Sequence, residues 1–250
     1  MTRFIAAFAS TDRDEAAVTA ASTAVADVLG LAVERRRLAV DRDPRDTVTT
    51  VLRDVADPDV VLAALPYSAG HTARLVAALI QRCPKPVLVV PVRRRPAPTT
   101  LVDRVLVPLD GTALSANAVA ETVGMFCARG ADVVVLHVFN QATVPRFWDQ
   151  PEHARKCWAD EFLARFLDRP NTRMEMRSGT PGESIVDVAG AEHADLIALG
   201  WAQDLSAGHA ATIRTALANS AIPVLLLPQE SRDTPPDGTP NGAVEVTMPR

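Results

Sequence analysis

The strongest constraint on this chain is an alternation. Short runs rich in valine, leucine and isoleucine are separated by alanine-rich stretches with helical spacing, and the order repeats along most of the 250 residues. A run that is apolar at successive positions buries both of its faces, which is the pattern of a parallel sheet covered on two sides. Strands are expected at Phe4–Ala9, Val33–Val40, Val60–Leu65, Val87–Val90, Val105–Leu109, Val133–Val138, Thr172–Met176, Leu196–Leu199 and Val224–Leu227. Helices are expected at Asp14–Leu29, Arg45–Val55, His71–Gln81, Ala116–Ala128, Pro151–Leu167, Glu183–Ala191 and Thr212–Asn219. Right-handed crossovers turn that order into α/β architecture, two doubly wound, Rossmann-like parallel-sheet domains in tandem.

The tandem reading rests on an internal repeat. Ser68-Ala69-Gly70-His71 recurs as Ser206-Ala207-Gly208-His209. Each copy follows an Asp-led apolar strand, at Asp59 and at Asp195, and each precedes a Pro-Val-Leu strand, at Pro86 and at Pro223. Upstream, Asp43-Pro44-Arg45-Asp46 aligns with Thr180-Pro181-Gly182-Glu183. The first copy is shorter by one strand–helix pair, the part spanning about Val133–Leu167 in the second. Between the copies, Arg93-Arg94-Arg95-Pro96-Ala97-Pro98 cannot continue a core strand and reads as a connector. The expected organisation is therefore a shortened, degenerate domain over 1–92, a linker over 93–101, a full domain over 102–230 and a disordered tail over 231–250, where proline and glycine concentrate.

Composition narrows the function classes. Apolar residues make up 48% and charged residues 22%, so most of the chain can bury a core, and with aromatics at 4% that core is aliphatic. The net charge is -4, which removes the basic field that nucleic acid or an anionic membrane would require, and neither is expected as a partner. No apolar run is long enough to span a bilayer. Cys83, Cys127 and Cys157 are far apart and share no metal or redox spacing, which points to reduced thiols, a cytoplasmic location and no metal. The bias toward arginine and alanine suggests a GC-rich bacterial genome.

Enzyme signatures fail in turn. The chain has no Gly-x4-Gly-Lys loop, no GxGxxG after a strand, no Gly-x-Ser-x-Gly elbow and no histidine pair at metal spacing. His137 reads as a structural histidine at a strand end. Trp158, Phe162 and Phe166 fall at four-residue spacing, a helix core stripe. Trp201 reads either as a stacking partner for a base or as a rim residue over the sheet end.

Five short motifs follow one another in register: Val105 to Thr112 with Pro108 and Asp110, then His137-Val138, Gly179 to Ile185, Ala194 to Gly200, and Ile222 to Leu226. Over about Val102–Pro228 the chain resembles the universal stress protein family, and residues 3–91 resemble the same fold more weakly. The resemblance implies a non-catalytic stress-response regulator with a five-stranded parallel sheet. It also implies an adenine nucleotide site at the C-terminal strand edge, with ATP as the candidate ligand. Carried over residue by residue, Asp110, next to Pro108, would hold the ribose, Val138 would receive the adenine at its backbone, and Gly200 would begin a Gly-x2-Gly-x9-Gly-Ser/Thr segment around the phosphates.

That segment then departs from the pattern. Gln203 stands where the second glycine belongs, and Ile213-Arg214 where Gly-Ser/Thr belongs. Ser206, Gly208, His209 and Thr212 could supply anion donors at a helix start, or Ser206 could be an ordinary cap and Gly208 a tight turn. Two functions stay open: a regulator that binds an adenine nucleotide in its second domain, and a nucleotide-free interaction or scaffold module with a protein partner. In the first domain Ala9 aligns with the family aspartate, so that domain serves as packing partner in an intramolecular pseudo-dimer; a homodimer of whole chains is the other arrangement.

Overall fold

The computed structural model describes residues 3–38, 44–68, 70–92, 101–139, 152–203 and 209–229. Every strand and helix expected from the sequence is present. The strands are β1 Phe4–Ala9, β2 Ala32–Arg37, β3 Val60–Tyr67, β4 Val87–Pro91, β5 Arg104–Pro108, β6 Asp132–Phe139, β7 Thr172–Ser178, β8 Leu196–Trp201 and β9 Val224–Pro228. The helices are α1 Asp12–Leu29, α2 Pro44–Val55, α3 His71–Ile80, α4 Ala113–Ala128, α5 Glu152–Phe166, α6 Pro181–Ala191 and α7 His209–Asn219. Five helices start earlier than apolar spacing alone indicates, and at α1 and α4 a threonine cap accounts for it. Thr11 accepts from the Asp14 amide and Thr112 from the Ser115 amide, so each hydroxyl satisfies a donor that a helix start otherwise leaves unpaired. The linker at 93–100 and the tail from 230 onward lie outside the described residues.

The strands form one nine-stranded sheet in the order β2-β1-β3-β4-β9-β8-β5-β6-β7. Neighbours are parallel except at the centre, where β4 and β9 pair antiparallel through Val87–Val89 and Val224–Leu226. The two halves therefore meet through their last strands, and the core does not stop at the junction. On one face Phe8, Leu65 and Leu79 of the first half share a cluster with Leu136, Ile197 and Ile213 of the second. On the other face Ile5, Val18 and Leu88 share a cluster with Val105, Val119 and Phe126. Burying one such side chain contributes about 1.5–3 kcal/mol, so a core continuous across the junction holds the halves together more firmly than the three-residue strand pairing could.

Topology also shows what the first half lacks. β2 pairs with β1 (Phe4↔Ala32) as β6 pairs with β5 (Arg104↔Asp132), so β2 occupies the place of β6. The missing pair is thus the helix and edge strand corresponding to α5 and β7, rather than the Val133–Leu167 stretch that sequence spacing indicated.

The pairing corrects one residue alignment as well. Ala6 and Leu106 face the same core cluster, as do Ile5 and Val105 on the opposite face. Side chains alternate along a strand, so the halves match with an even offset, and Ser10 stands opposite Asp110 where the sequence alignment had put Ala9.

Candidate functional site

In an open α/β sheet a ligand crevice forms outside the C-terminal ends of the strands, where successive crossovers leave in opposite directions. In the second half that point lies between β5 and β8: from β5 the chain first builds β6 and β7 on one side, then β8 and β9 on the other. A cavity of about 140 Å³ opens there. Pro108 and Asp110 line it from β5 and the following turn, Val138 from β6, and Gly200 from β8. Four of the sequence-derived residues therefore converge on one place. Ser206 and Gly208 lie outside the described residues, and His209 is placed as the first residue of α7.

The wall contains more than the motifs showed. Leu136, Ile185, Leu199 and Ile213 make it apolar, with Ser115, Thr212 and Gln229 at its polar points. Leu136, Ser115, Ile213 and Gln229 were not singled out as site residues in sequence, because each looks like an ordinary position of the fold. The cavity is close in size to the 150 Å³ apolar void that admits a benzene molecule, which is the scale of a flat ring.

Asp110 is exposed and its carboxylate is locally anchored. Its Oδ1 accepts the Thr112 amide at 2.9 Å, the Thr112 hydroxyl at 2.7 Å and the Ser115 hydroxyl at 2.5 Å. Hydrogen bonds to an ionised acceptor are short and strong, so the side chain is held in place at the head of α4. The turn is possible because Gly111 sits at φ +84°, a left-handed conformation that costs glycine little.

Gly200 is required for a reason other than ligand approach. A Cβ there would lie 3.2 Å from the Ser115 carbonyl oxygen and 3.4 Å from the Ala118 Cβ. The missing side chain lets β8 run close beneath α4, which shapes the cavity indirectly.

Trp201 lines the cavity as a buried residue rather than an exposed rim one. It is 2% exposed, and its indole Nε1 donates to the Ile80 carbonyl at 3.0 Å. Two residues on, the Gln203 side-chain amide donates to the Cys83 carbonyl. The last carbonyls of a helix have no partner within it, and here the second half supplies donors at and just beyond the end of α3. Gln203 keeps φ +59°, a backbone conformation that glycine adopts readily, while its side chain serves the junction between the halves.

On the opposite face of β6, His137 is half-buried, with Nδ1 2.8 Å from the Leu109 carbonyl oxygen. Its ring lies 4.6 Å from Phe139, 5.1 Å from Phe162 and 5.5 Å from Trp158, centroid to centroid. Phe166 closes the stripe at 4.7 Å from Phe162. Burial pulls the His137 pKa below 6.5, opposed by the Leu109 carbonyl and by Asp110. The ring is a neutral structural element that fixes the end of β6, as expected for a satisfied histidine. At the other end of the sheet the strand-leading Asp195 receives the Asp103 and Arg104 amides on Oδ2, each at 3.0 Å, which places it away from the cavity as a structural residue. Among the described residues no group of three or more His, Cys, Asp or Glu side chains is placed to hold a metal ion, and no helix is long and apolar enough to cross a membrane.

A family model described as the universal stress protein family matches residues 102–228, just over half of the chain. The structure is similar to the crystal structure of a universal stress protein from Archaeoglobus fulgidus DSM 4304, with a TM-score of 0.55 and 17% identity over 81% of this chain and 71% of that one. It is also similar to a functionally unknown protein from Pseudomonas aeruginosa PAO1, with a TM-score of 0.58 and 14% identity over 91% of this chain and 93% of that one. No curated protein matches the sequence. At these identities the structural likeness is one of fold.

Proposed function

Because this chain belongs to the universal stress protein family, we propose that it is a non-catalytic stress-response regulator whose second unit, 102–230, binds an adenine nucleotide. The first unit, 1–92, acts as its built-in packing partner. One observation carries the reading: Pro108, Asp110, Val138 and Gly200, singled out from motif order alone, all line a single ring-sized apolar cavity at the switch point of the sheet. An apolar slot with a carboxylate at its mouth suits a base and a hydroxylated sugar. Mass spectrometry of small molecules released from the purified protein should find an adenine compound. Asp110→Ala should weaken calorimetric binding about ten- to a hundredfold, as loss of hydrogen bonds to a charged group does. A wild-type protein that neither carries nor binds an adenine compound sinks the proposal.

A second reading, a nucleotide-free interaction module of the same fold, is favoured by Gln203. The position where the family pattern has glycine is used here to join the halves. A stable complex with a defined protein partner, formed by a nucleotide-free protein, would support that reading.

A further inference from the structure

Resting on that reading of the cavity, we infer that Gln229 is a ligand contact and a specificity residue. Its side-chain amide donates a hydrogen bond to a hydroxyl oxygen of the ligand's sugar, so the site distinguishes a ribose from a deoxyribose.

Gln229 follows β9 and lines the cavity. Its backbone amide donates to the Trp201 carbonyl at 2.8 Å, which fixes the residue at the strand end. Its side chain is half-buried, and among the described residues it has no hydrogen-bond partner. Polar groups withdrawn from water ordinarily find a partner, and a binding site presents a few such groups to its ligand.

Gly200 brings the amide to the sugar side of the cavity. A Cβ at Gly200 would stand 3.2 Å from the Gln229 Nε2 and 3.2 Å from the Ser115 carbonyl oxygen, so both lie on the α4 side of β8. Ser115 in turn donates to the Asp110 Oδ1. Amide and carboxylate therefore border the same stretch of wall. Thr212, another lining side chain without a partner among the described residues, comes from α7 on the opposite face of the sheet.

The first half shows that the fold does not demand this amide. Val92 follows β4 as Gln229 follows β9, and its backbone amide donates to the Tyr67 carbonyl at 3.0 Å. Pro66 precedes Tyr67 as Gly200 precedes Trp201. The backbone bond is thus kept in both copies, while the glycine and the glutamine stand together in the copy whose Asp110 borders the cavity.

The chemistry of a sugar explains the pairing. A hydroxyl both donates and accepts, whereas an ionised carboxylate only accepts. Asp110 can take the hydrogen of a ribose hydroxyl but offers its oxygen no donor. The Gln229 N–H supplies that donor from the same side.

Calorimetric titration of the full chain with ATP, 2′-deoxy-ATP and 3′-deoxy-ATP tests this. Wild type should bind ATP at least threefold tighter than the analogue that lacks the contacted hydroxyl. Gln229→Leu keeps most of the volume and donates nothing. It should weaken ATP about three- to tenfold, the size of one neutral hydrogen bond, and leave that one analogue within about twofold of its wild-type affinity. Such a coupling between side chain and hydroxyl is not produced by a general loosening of the fold. Gln229→Val, with the residue the first half carries at the matching position, should give the same pattern at a melting temperature near that of the wild type. ATP affinity unchanged in both variants, all three nucleotides weakened alike, or a wild type that binds them equally overturns the inference and leaves the adenine-site reading standing. A wild type that binds neither these nucleotides nor adenosine overturns both.

Discussion

At the end of its central strand each half of the molecule turns into a threonine-capped helix, and the second half does so with one more residue, Gly111, and different chemistry. In the second half Asp110 presents a carboxylate, and its Oδ1 organises Thr112 and Ser115 at the head of α4. In the first half the matching residue is Ser10, whose hydroxyl donates to Asp14 at 2.8 Å within α1. Thr11 caps α1 as Thr112 caps α4, so the helix start survives without the carboxylate. The same contrast recurs elsewhere. Gly182 of α6 lies against Thr215 of α7, whereas its counterpart Arg45 in α2 is exposed. His137 of β6 is enclosed by aromatic rings, whereas its counterpart Arg37 ends the exposed edge strand β2. Capping and strand pairing are local requirements of the fold and persist in both copies. The polar and tightly packed features around the crevice occur in one copy, which is what is expected if a site, rather than the fold, demands them.

The comparison can be strained most at the junction. Trp201→Ala removes a fully enclosed aromatic side chain from a core shared by both halves, and should cost about 3–5 kcal/mol in urea unfolding. A loss below about 1 kcal/mol would mean that the halves do not stabilise one another. Trp201→Phe keeps most of the volume and leaves the Ile80 carbonyl without its donor, so a smaller loss of about 1–3 kcal/mol is expected.

Next in size is the glycine contrast. A Cβ at Gly182 would sit 2.6 Å from the Thr215 Cβ, so Gly182→Ala should overpack the α6–α7 contact by about 1–3 kcal/mol. Arg45→Ala at the matching exposed position should change stability by no more than about 0.5 kcal/mol. Equal effects at the two positions would abolish the distinction drawn between the halves.

The smallest effect concerns pH. The folded protein holds His137 below its ordinary value of 6.5, so as pH falls the unfolded chain takes up the proton first. Stability from this group is full above about pH 6.5, declines below it, and stops declining once the folded form is protonated too. His137→Phe should flatten that part of a melting-temperature profile. A variant whose profile still parallels the wild type would assign the dependence to another group.

Strand and helix order was legible in the sequence because it depends on local spacing. Val105–Leu109 or Val224–Leu227 are apolar enough on both faces to be read alone, and the repeated Ser-Ala-Gly-His segment marked the duplication. Four lining residues of the cavity were legible because they sit in short motifs. Their aliphatic neighbours Leu136 and Ile213 were not, since an inward-facing residue looks the same whether it meets a core or a cavity. Ala9 was aligned with Asp110 because linear matching ignores which face of the strand a residue occupies, and only pairing restored Ser10 to that place.

The sequence by itself determined that this chain would build one βα pattern twice, and its resemblance to the family implied a crevice at the strand ends of the later copy. The repeated pattern depends on periodicity and on neighbours a few residues apart. The tertiary structure decided that the two sheets become one and that Trp201 and Gln203 reach back to the end of α3. Those contacts join residues about 120 positions apart. No local pattern encodes such partners, because a carbonyl at a helix end is chemically identical whether water or a distant indole meets it.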